Sequence, residues 1–396
     1  AALAPRRAPS EIIAQVHASG LRGRGGAYFP VGAKWEAATQ APGKHLFLIC
    51  NADEGEPPTR KDKVLMDRNP HLLLEGLLIA GKAVGAALGL IYLRGDYQES
   101  YDYLQTAIAE AHARGWLGAD IQGSGFAFEV EIFLGSGSYV AGCDTAMLES
   151  LEGRAAIPRA TPPFPTEQGL AGQPTVVNNV ETLCNVPVLI VMGGAAFAQI
   201  GDPDCPGTKL FGLSGDIAQP GIYELPTGMP LAEMLELAGG VVDDLGAPGM
   251  LKAVNPGGVT TGLLTAAEAA EVRMAPASLA DHGAYLGSGA ISVFNTQRDL
   301  RRFAEDVLAF LAEESCGSCM ECPISLRMTQ RTLARTHAGT ASRAELDAVY
   351  ERDAQLAGIL RCGLGRGSHF TVSSAMSKFP DEFLSPRDEW PARMQR

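Results

Sequence analysis

Apolar residues come in short blocks, separated by glycine-rich or acidic stretches, and the blocks alternate in kind over the first half of the chain. Residues 10–19 predict a short helix ahead of the loop Gly20-Leu-Arg-Gly-Arg-Gly-Gly26. Residues 46–50 are an apolar run closed by an acidic loop, which predicts a buried strand. Residues 70–87 have helical spacing and length, 88–94 read as a strand, and 100–114 as another helix. A strand at 130–134 runs into Gly135-Ser-Gly-Ser138, followed by a helix from about 143 to 151. This alternation predicts an α/β layer built on a mostly parallel sheet.

The pattern then changes. Residues 153–174 are proline-rich and predict a long ordered loop on one face of that layer. Residues 209–272 predict short strands (209–213, 221–224 and 250–254), turns and one helix at 231–238, which together make a small α+β module. From 297 onward the spacing is helical, at 298–311, 324–335 and 343–358, and a helical bundle is the simplest packing. The divisions fall at 1–204, 205–296 and 297–396, with no internal repeat.

Composition narrows the function. At 396 residues the chain exceeds one ordinary core. A formal net charge of -13 with no basic stripe argues against nucleic acid. The most apolar stretch, 72–93, is broken by Glu75 and Lys82, and 185–200 is too short to span a bilayer, so no transmembrane helix is expected. Residues 1–10 hold two arginines with no apolar run behind them and read as a loose tail, not a signal peptide. Forty-six glycines point to tight turns or to backbone held close to a ligand.

Eight cysteines in such a chain suggest metal or redox chemistry ahead of a disulfide framework. Cys316-Gly-Ser-Cys319-Met-Glu-Cys322 is a C-x2-C-x2-C run, and Cys362 follows within Arg361-Cys362-Gly363-Leu364-Gly365. Three thiolates at this spacing can wrap one face of a cubane from a tight turn, with a distant fourth closing a [4Fe–4S] site. The competing readings are a structural zinc, which usually shows two paired C-x2-C knuckles, and unrelated buried thiols. Cys50, Cys143, Cys184 and Cys205 show no ligand spacing.

Two loops carry anion and hydroxyl chemistry. Residues 20–35 combine glycines with Arg24 and Lys34, so main-chain N–H groups and charge could meet a phosphate. The loop is neither the dinucleotide G-x-G-x-x-G nor a Walker loop, and taken alone it reads equally as a flexible turn. Asn51-Ala-Asp53-Glu54-Gly-Glu56-Pro57 follows a predicted parallel strand, where α/β sheets bind ligands. Its carboxylates could bond ribityl or ribose hydroxyls, or simply face solvent.

In this order and spacing, the pieces resemble the flavoprotein subunit of respiratory complex I and the diaphorase subunits of NAD-linked hydrogenases and formate dehydrogenases. The resemblance covers residues 16–383 and rests on 20–35, 51–57, Ser138-Tyr-Val-Ala-Gly142, 145–153, Pro162-Pro-Phe-Pro165, 174–182, 314–322 and 361–365. It implies an α/β fold with a Rossmann-like FMN domain, a ubiquitin-like β-grasp module and a C-terminal helical bundle holding one [4Fe–4S] cluster. It implies electron transfer from NADH to FMN, then to the cluster and on to partner iron–sulfur subunits.

Carried over by position, the FMN contacts are Gly23, Arg24, Gly25, Lys34, Asn51, Asp53, Glu54, Tyr139, Gly142, Val177, Asn178, Asn179 and Thr182. NAD(H) contacts are Phe29, Glu56, Asp144 and Phe164, and the cluster ligands are Cys316, Cys319, Cys322 and Cys362. No side chain is assigned as catalytic, because the hydride passes to FMN with Glu56 and Asp144 nearby. A thioredoxin-like [2Fe–2S] subunit and a larger iron–sulfur subunit are expected as separate chains, in a cytoplasmic setting that includes a membrane-associated complex.

The departures gather on the dinucleotide side. The family's Gly-Phe-Pro is Tyr28-Phe29-Pro30, its Gly-Glu-Glu-Thr is Gly142-Cys143-Asp144-Thr145, and a lysine before Pro-Pro-Phe-Pro is Thr161. Pro58 and Ala37 replace a glycine and an aromatic, and Glu321 and Pro323 stand where proline and arginine are usual. Tyr28 is expected to project its ring into or beside the nicotinamide stack and to weaken NADH binding. Two alternatives follow: a divergent relative that keeps the flavin or the cluster as a relay for another donor, and a cofactor-poor assembly subunit.

Overall fold

The computed structural model describes residues 7–43 and 45–384. Most of the expected tail at 1–10 lies outside them, although the first helix begins at Pro9. The first part runs α1 (Pro9–Ser19), α2 (Val31–Gln40), β1 (Phe47–Ala52), α3 (Lys61–Arg68), α4 (Pro70–Val84), β2 (Leu88–Leu93), α5 (Gln98–Ala113), β3 (Glu129–Leu134), α6 (Asp144–Leu151), β4 (Thr175–Asn179), α7 (Val180–Met192) and α8 (Gly194–Phe197). The four strands pair in the order β3-β2-β1-β4, all parallel.

β1 reads as a nearly continuous apolar run because both faces of the sheet are covered. One face packs against apolar side chains of α1, α4, α5 and α7, and the other against Met147 and Leu148 of α6. α4 starts where Asn69 caps the Leu72 amide with Pro70 in the first turn, and stops at Gly85, which is left-handed at φ 77°. That stop ends the helix short of the expected residue 87. Gly76 lets α4 reach the α7 backbone, since a Cβ there would sit 2.1 Å from the Leu183 carbonyl oxygen.

Two helices depart from expectation. The stretch read as one glycine loop turns helical after Pro30, because Val31, Trp35 and Ala38 share a buried face. α7 forms although it contains Pro187, with the Asn179 side chain accepting from the Glu181 amide at its start.

The second part runs β5 (Gly201–Asp202), β6 (Cys205–Pro206), β7 (Thr208–Gly215), β8 (Gly221–Pro226), α9 (Leu231–Leu237), β9 (Leu251–Asn255), β10 (Leu264–Thr265), α10 (Ala266–Glu271), α11 (Pro276–Ala280) and β11 (Ala290–Asn295). Its five-stranded sheet has the order β10-β9-β11-β7-β8. β7 pairs antiparallel with β8 and parallel with β11, so this sheet is mixed.

The third part is helical: α12 (Leu300–Glu313), α13 (Glu321–His337), α14 (Arg343–Ala357), α15 (Gly363–Gly367), α16 (Phe370–Lys378) and α17 (Pro380–Leu384). Asp299 caps α12, and a Ser342–Glu345 capping box starts α14. These helices share an apolar core that includes Leu308, Leu311, Leu326, Val372 and Phe383.

A buried ionic network ties the first two parts together. Glu181 accepts from Lys209 Nζ at 3.1 Å and from the Leu210 amide at 2.7 Å, while Lys61 Nζ lies 3.1 Å from the same carboxylate. Removing one member of such a buried set costs about 3–5 kcal/mol, because the remaining charges lose their partner.

Candidate redox site

The carboxyl ends of β1 and β4 lie side by side, with Cys50 opposite Asn178 and Asn51 opposite Asn179. The glycine loop folds over them. The Arg24 amide donates to Thr182 Oγ1 at 2.8 Å, and a Cβ on Gly25 would come within 3.1 Å of Asn179 Cβ. Lys34 Nζ donates to the Val177 carbonyl at 2.9 Å, and the Asn51 amide group to the Gly142 carbonyl at 2.8 Å. Residues expected from five separate segments thus meet at one sheet edge.

Several of these side chains are engaged elsewhere. The Arg24 guanidinium is fully buried and bonds Cys205 Sγ and the Pro206 carbonyl, leaving its main chain at the loop. Glu54 accepts from the Asp62 and Lys63 amides and so caps α3. Asn178 accepts from the Trp35 indole at 2.8 Å, and Asn179 holds Asp62 and the start of α7.

Asp53 is different. Both its carboxylate oxygens and Nη1 of Arg94 are buried with no hydrogen-bond partner among the described residues. The two groups stand 3.9 Å apart, beyond hydrogen-bond reach. A buried polar atom left unpaired costs about 1–3 kcal/mol, so this cradle is suited to a ligand rich in hydroxyls. Burial pushes the Asp53 carboxyl up to about 7, opposed by Arg94. Burial likewise raises Glu54 and Glu56 to about 7, the latter opposed by the Tyr139 hydroxyl.

On the dinucleotide side, Phe29 and Phe164 are both about half exposed, and Lys34 lies 3.8 Å from Asp144. Tyr28 corrects the sequence expectation. Its ring is buried in the core of the second part with Cys205, Phe211 and Ile291, and its hydroxyl donates to the Gly287 carbonyl at 3.0 Å. It does not project beside the flavin edge. The tyrosine adopts a left-handed backbone, φ 53°, where a non-glycine residue costs about 1–2 kcal/mol. Burial of the ring offsets that strain.

Cys316, Cys319, Cys322 and Cys362 line one cavity, with Gly317 at φ 71° turning the chain between the first two. Cys316 is exposed, Cys322 is buried in the first turn of α13, and Cys362 caps α15. Burial raises the Cys322 thiol and pushes Cys362 up to about 11. A metal must displace those protons, so loading the site releases acid. Among the described residues no three His, Cys, Asp or Glu groups are set to share one ion. A cubane gives each thiolate its own iron, whereas zinc gathers four ligands on one centre.

Tyr139 joins the two centres. Its hydroxyl bonds Glu56, its ring meets Phe310 edge-on at 5.3 Å, and its amide donates to Glu314 at 2.8 Å, two residues before Cys316. The sequence reading missed Arg94, Lys61 and Lys209. Arg94 had a signal, as the lone charge closing an apolar strand. The buried lysines had none.

Three family models match the chain: the Nuo51 FMN-binding domain over 16–188, the SLBB domain over 210–261 and the NADH-ubiquinone oxidoreductase-F iron–sulfur binding region over 302–386. The second of two F subunits of NADH-quinone oxidoreductase in Rhizobium meliloti is 44% identical over 383 residues, covering 96% of this chain and 90% of the relative. The chain belongs to the family of NADH-quinone oxidoreductase F subunits. The Aquifex aeolicus F subunit is 40% identical, covering 95% of this chain and 85% of that protein. The alpha subunit of the NAD-reducing hydrogenase HoxS of Cupriavidus necator is 38% identical, but the chain spans only 60% of its length. A crystal structure of an NAD+-reducing [NiFe]-hydrogenase in the H2-reduced state superposes with TM-score 0.86 at 36% identity, covering 98% of this chain and 65% of that one. Membership of this family thus accounts for a mixed α/β chain with an SLBB domain, an FMN-binding region and a [4Fe–4S] region. Among the described residues no helix is long and apolar enough to cross a membrane.

Proposed function

We propose that this chain is the NADH-oxidising subunit of a multisubunit electron-transfer complex. The observation that carries this reading is Tyr139, which bonds Glu56 at the sheet edge and Glu314 at the cysteine turn, so two redox sites share one residue. When bound, FMN supplies two-electron acceptance with one-electron release, and the [4Fe–4S] cluster supplies one-electron relay.

The residues divide the work. Gly23, Gly25 and the Arg24 main chain let the loop approach a phosphate at the start of α7. Asp53, with Arg94 beside it, receives ribityl hydroxyls, and Asn51, Gly142, Val177, Asn178, Asn179 and Thr182 wall the flavin. Glu54 acts by anchoring α3 behind Asp53. Phe29 and Phe164 offer aromatic faces to the dinucleotide, and Lys34, Glu56 and Asp144 offer polar contacts. Cys316, Cys319, Cys322 and Cys362 hold the cluster.

The layout follows: a Rossmann-like unit at 1–204, a ubiquitin-like β-grasp unit at 205–296 and a cluster-bearing bundle at 297–396. Separate apolar cores under the two sheets and the C-terminal helices support it. Partner chains, including a thioredoxin-like [2Fe–2S] subunit, carry electrons onward, on the cytoplasmic side of a membrane-associated complex or in a soluble one. The orientation of Tyr28 removes the main reason for a relative unable to use NADH.

The test is cofactor content. The chain reconstituted without oxygen should hold stoichiometric FMN, released by acid and identified by chromatography, and about four irons. An FAD peak, or iron at one per chain, would overturn the assignment.

A further inference from the structure

The loop from 153 to 174 carries Phe164, whose ring makes no aromatic contact among the described residues. Its local bonds are few: the Phe164 amide donates to the Glu167 carboxylate at 2.9 Å, and the Thr175 amide to the Pro165 carbonyl at 2.8 Å. Nothing at the ring fixes where it stands, so its position is inherited from the base of the loop.

That base is a charge cluster. Arg159 Nε donates to Glu149 at 2.5 Å, Nη2 lies 3.0 Å from Glu152, and Nη1 donates to the Gly169 carbonyl at 3.0 Å. The Arg159 amide donates to Thr145 Oγ1 at 3.1 Å, in the first turn of α6. Glu152 accepts from the Ala171 amide at 2.8 Å on the returning side of the loop. Arg154 bonds both glutamates. One side of the loop is therefore held by Arg159 and the other by Glu152 and Gly169, all against α6. The same helix carries Asp144 at its other end.

We propose that Glu149, Glu152, Arg154 and Arg159 form a closed clamp that positions Phe164 relative to Asp144, and so sets the affinity for the nicotinamide dinucleotide without touching it. The inference rests on the reading above of Phe164 and Asp144 as dinucleotide contacts. Two observations favour a positioning role over direct phosphate binding. The two arginines face two carboxylates, so the group offers an anion no net charge, and each guanidinium already has carboxylate partners. A surface cavity of about 390 Å³, lined by Arg159, Pro163 and Gln168 among others, lies beside the clamp and leaves the loop room to shift if the pairs are lost. The bidentate arginine geometry makes the clamp directional, which a lysine would not reproduce.

The experiment is steady-state NADH oxidation by the reconstituted chain with an artificial one-electron acceptor, comparing the parent with Glu149→Gln/Glu152→Gln and with Arg159→Lys. FMN content, iron content and protease sensitivity of the loop are read on every sample. In the double variant, KM for NADH should rise at least about five-fold while kcat changes less than about two-fold and both cofactors stay bound. Arg159→Lys should fall between parent and double variant. An unchanged KM in a variant that keeps its flavin overturns the proposal, whatever the protease sensitivity. Equal loss in kcat, or flavin loss in every variant, assigns the cluster to folding and overturns it too. A parent whose flavin NADH does not bleach sinks the underlying reading, and that is seen before any variant is compared.

Discussion

At the sheet edge, the carboxyls of Asp53, Glu54 and Glu56 are buried and pushed up to about 7, and the Asp53 oxygens are unpaired. At the cysteine turn, by contrast, Cys316 is exposed and Cys319 half-buried, and the buried atoms beneath are the apolar core of a helical unit. The first site is a dry, charged cradle that is unfavourable until filled. The second is a surface turn whose four thiols are brought together by short-range geometry and one distant residue. A flavin held largely by hydrogen bonds needs a prepared polar wall, whereas a cluster bonded through thiolates needs only reach and small neighbours.

The largest effect should come from breaking the covalent half. Cys319→Ala should abolish the cluster's visible absorbance and remove about four irons per chain while flavin stays bound. Retained iron at the parental level would contradict the ligand set. Next, Lys209→Met removes a charge from the buried network that joins the two sheets. It should destabilise the chain by about 3–5 kcal/mol in denaturant unfolding, and a loss below about 1 kcal/mol would show that Glu181 finds another partner.

The cradle also makes a pH prediction for the flavin-free chain. The Asp53 carboxyl rises from its ordinary 3.8 to about 7 in the fold, so the unfolded chain releases that proton first. Its contribution is complete below about pH 4 and fades as pH climbs toward 7, at up to about 1.4 kcal/mol per pH unit. Unfolding free energy should therefore fall between about pH 5 and 7, and Asp53→Asn should flatten the slope. A parent whose stability climbs over that range would contradict the buried, unpaired carboxyl.

The smallest effect concerns Tyr28. Tyr28→Gly should cost about 2 kcal/mol of stability, the lost ring burial exceeding the relieved strain, and leave NADH affinity unchanged. A gain in NADH affinity would return the ring to the nicotinamide site.

The same contrast governs what the sequence revealed. Cys316, Cys319 and Cys322 are legible because one turn fixes their spacing, and Cys362 follows from its glycine-rich setting. The strands at 46–50, 88–94 and 130–134 are legible because two-sided burial demands short apolar runs. The cradle is less so, since Asp53 meets Arg94 across two strands and no local pattern encodes that meeting. α2 was hidden behind the glycines that precede it, and α7 behind Pro187. Tyr28 misled because substitution at a glycine position suggested added bulk at the site, while the left-handed backbone sends the ring the other way.

The central claim is that electrons from NADH enter at the sheet edge and leave through the cysteine turn. Titrating the oxygen-free, reconstituted chain with NADH while recording the visible spectrum tests it most directly. The account predicts that the flavin bleaches at near-stoichiometric NADH, and that this persists in Cys319→Ala while reduction of the cluster is lost. Bleaching by dithionite alone, with none by NADH, would contradict it.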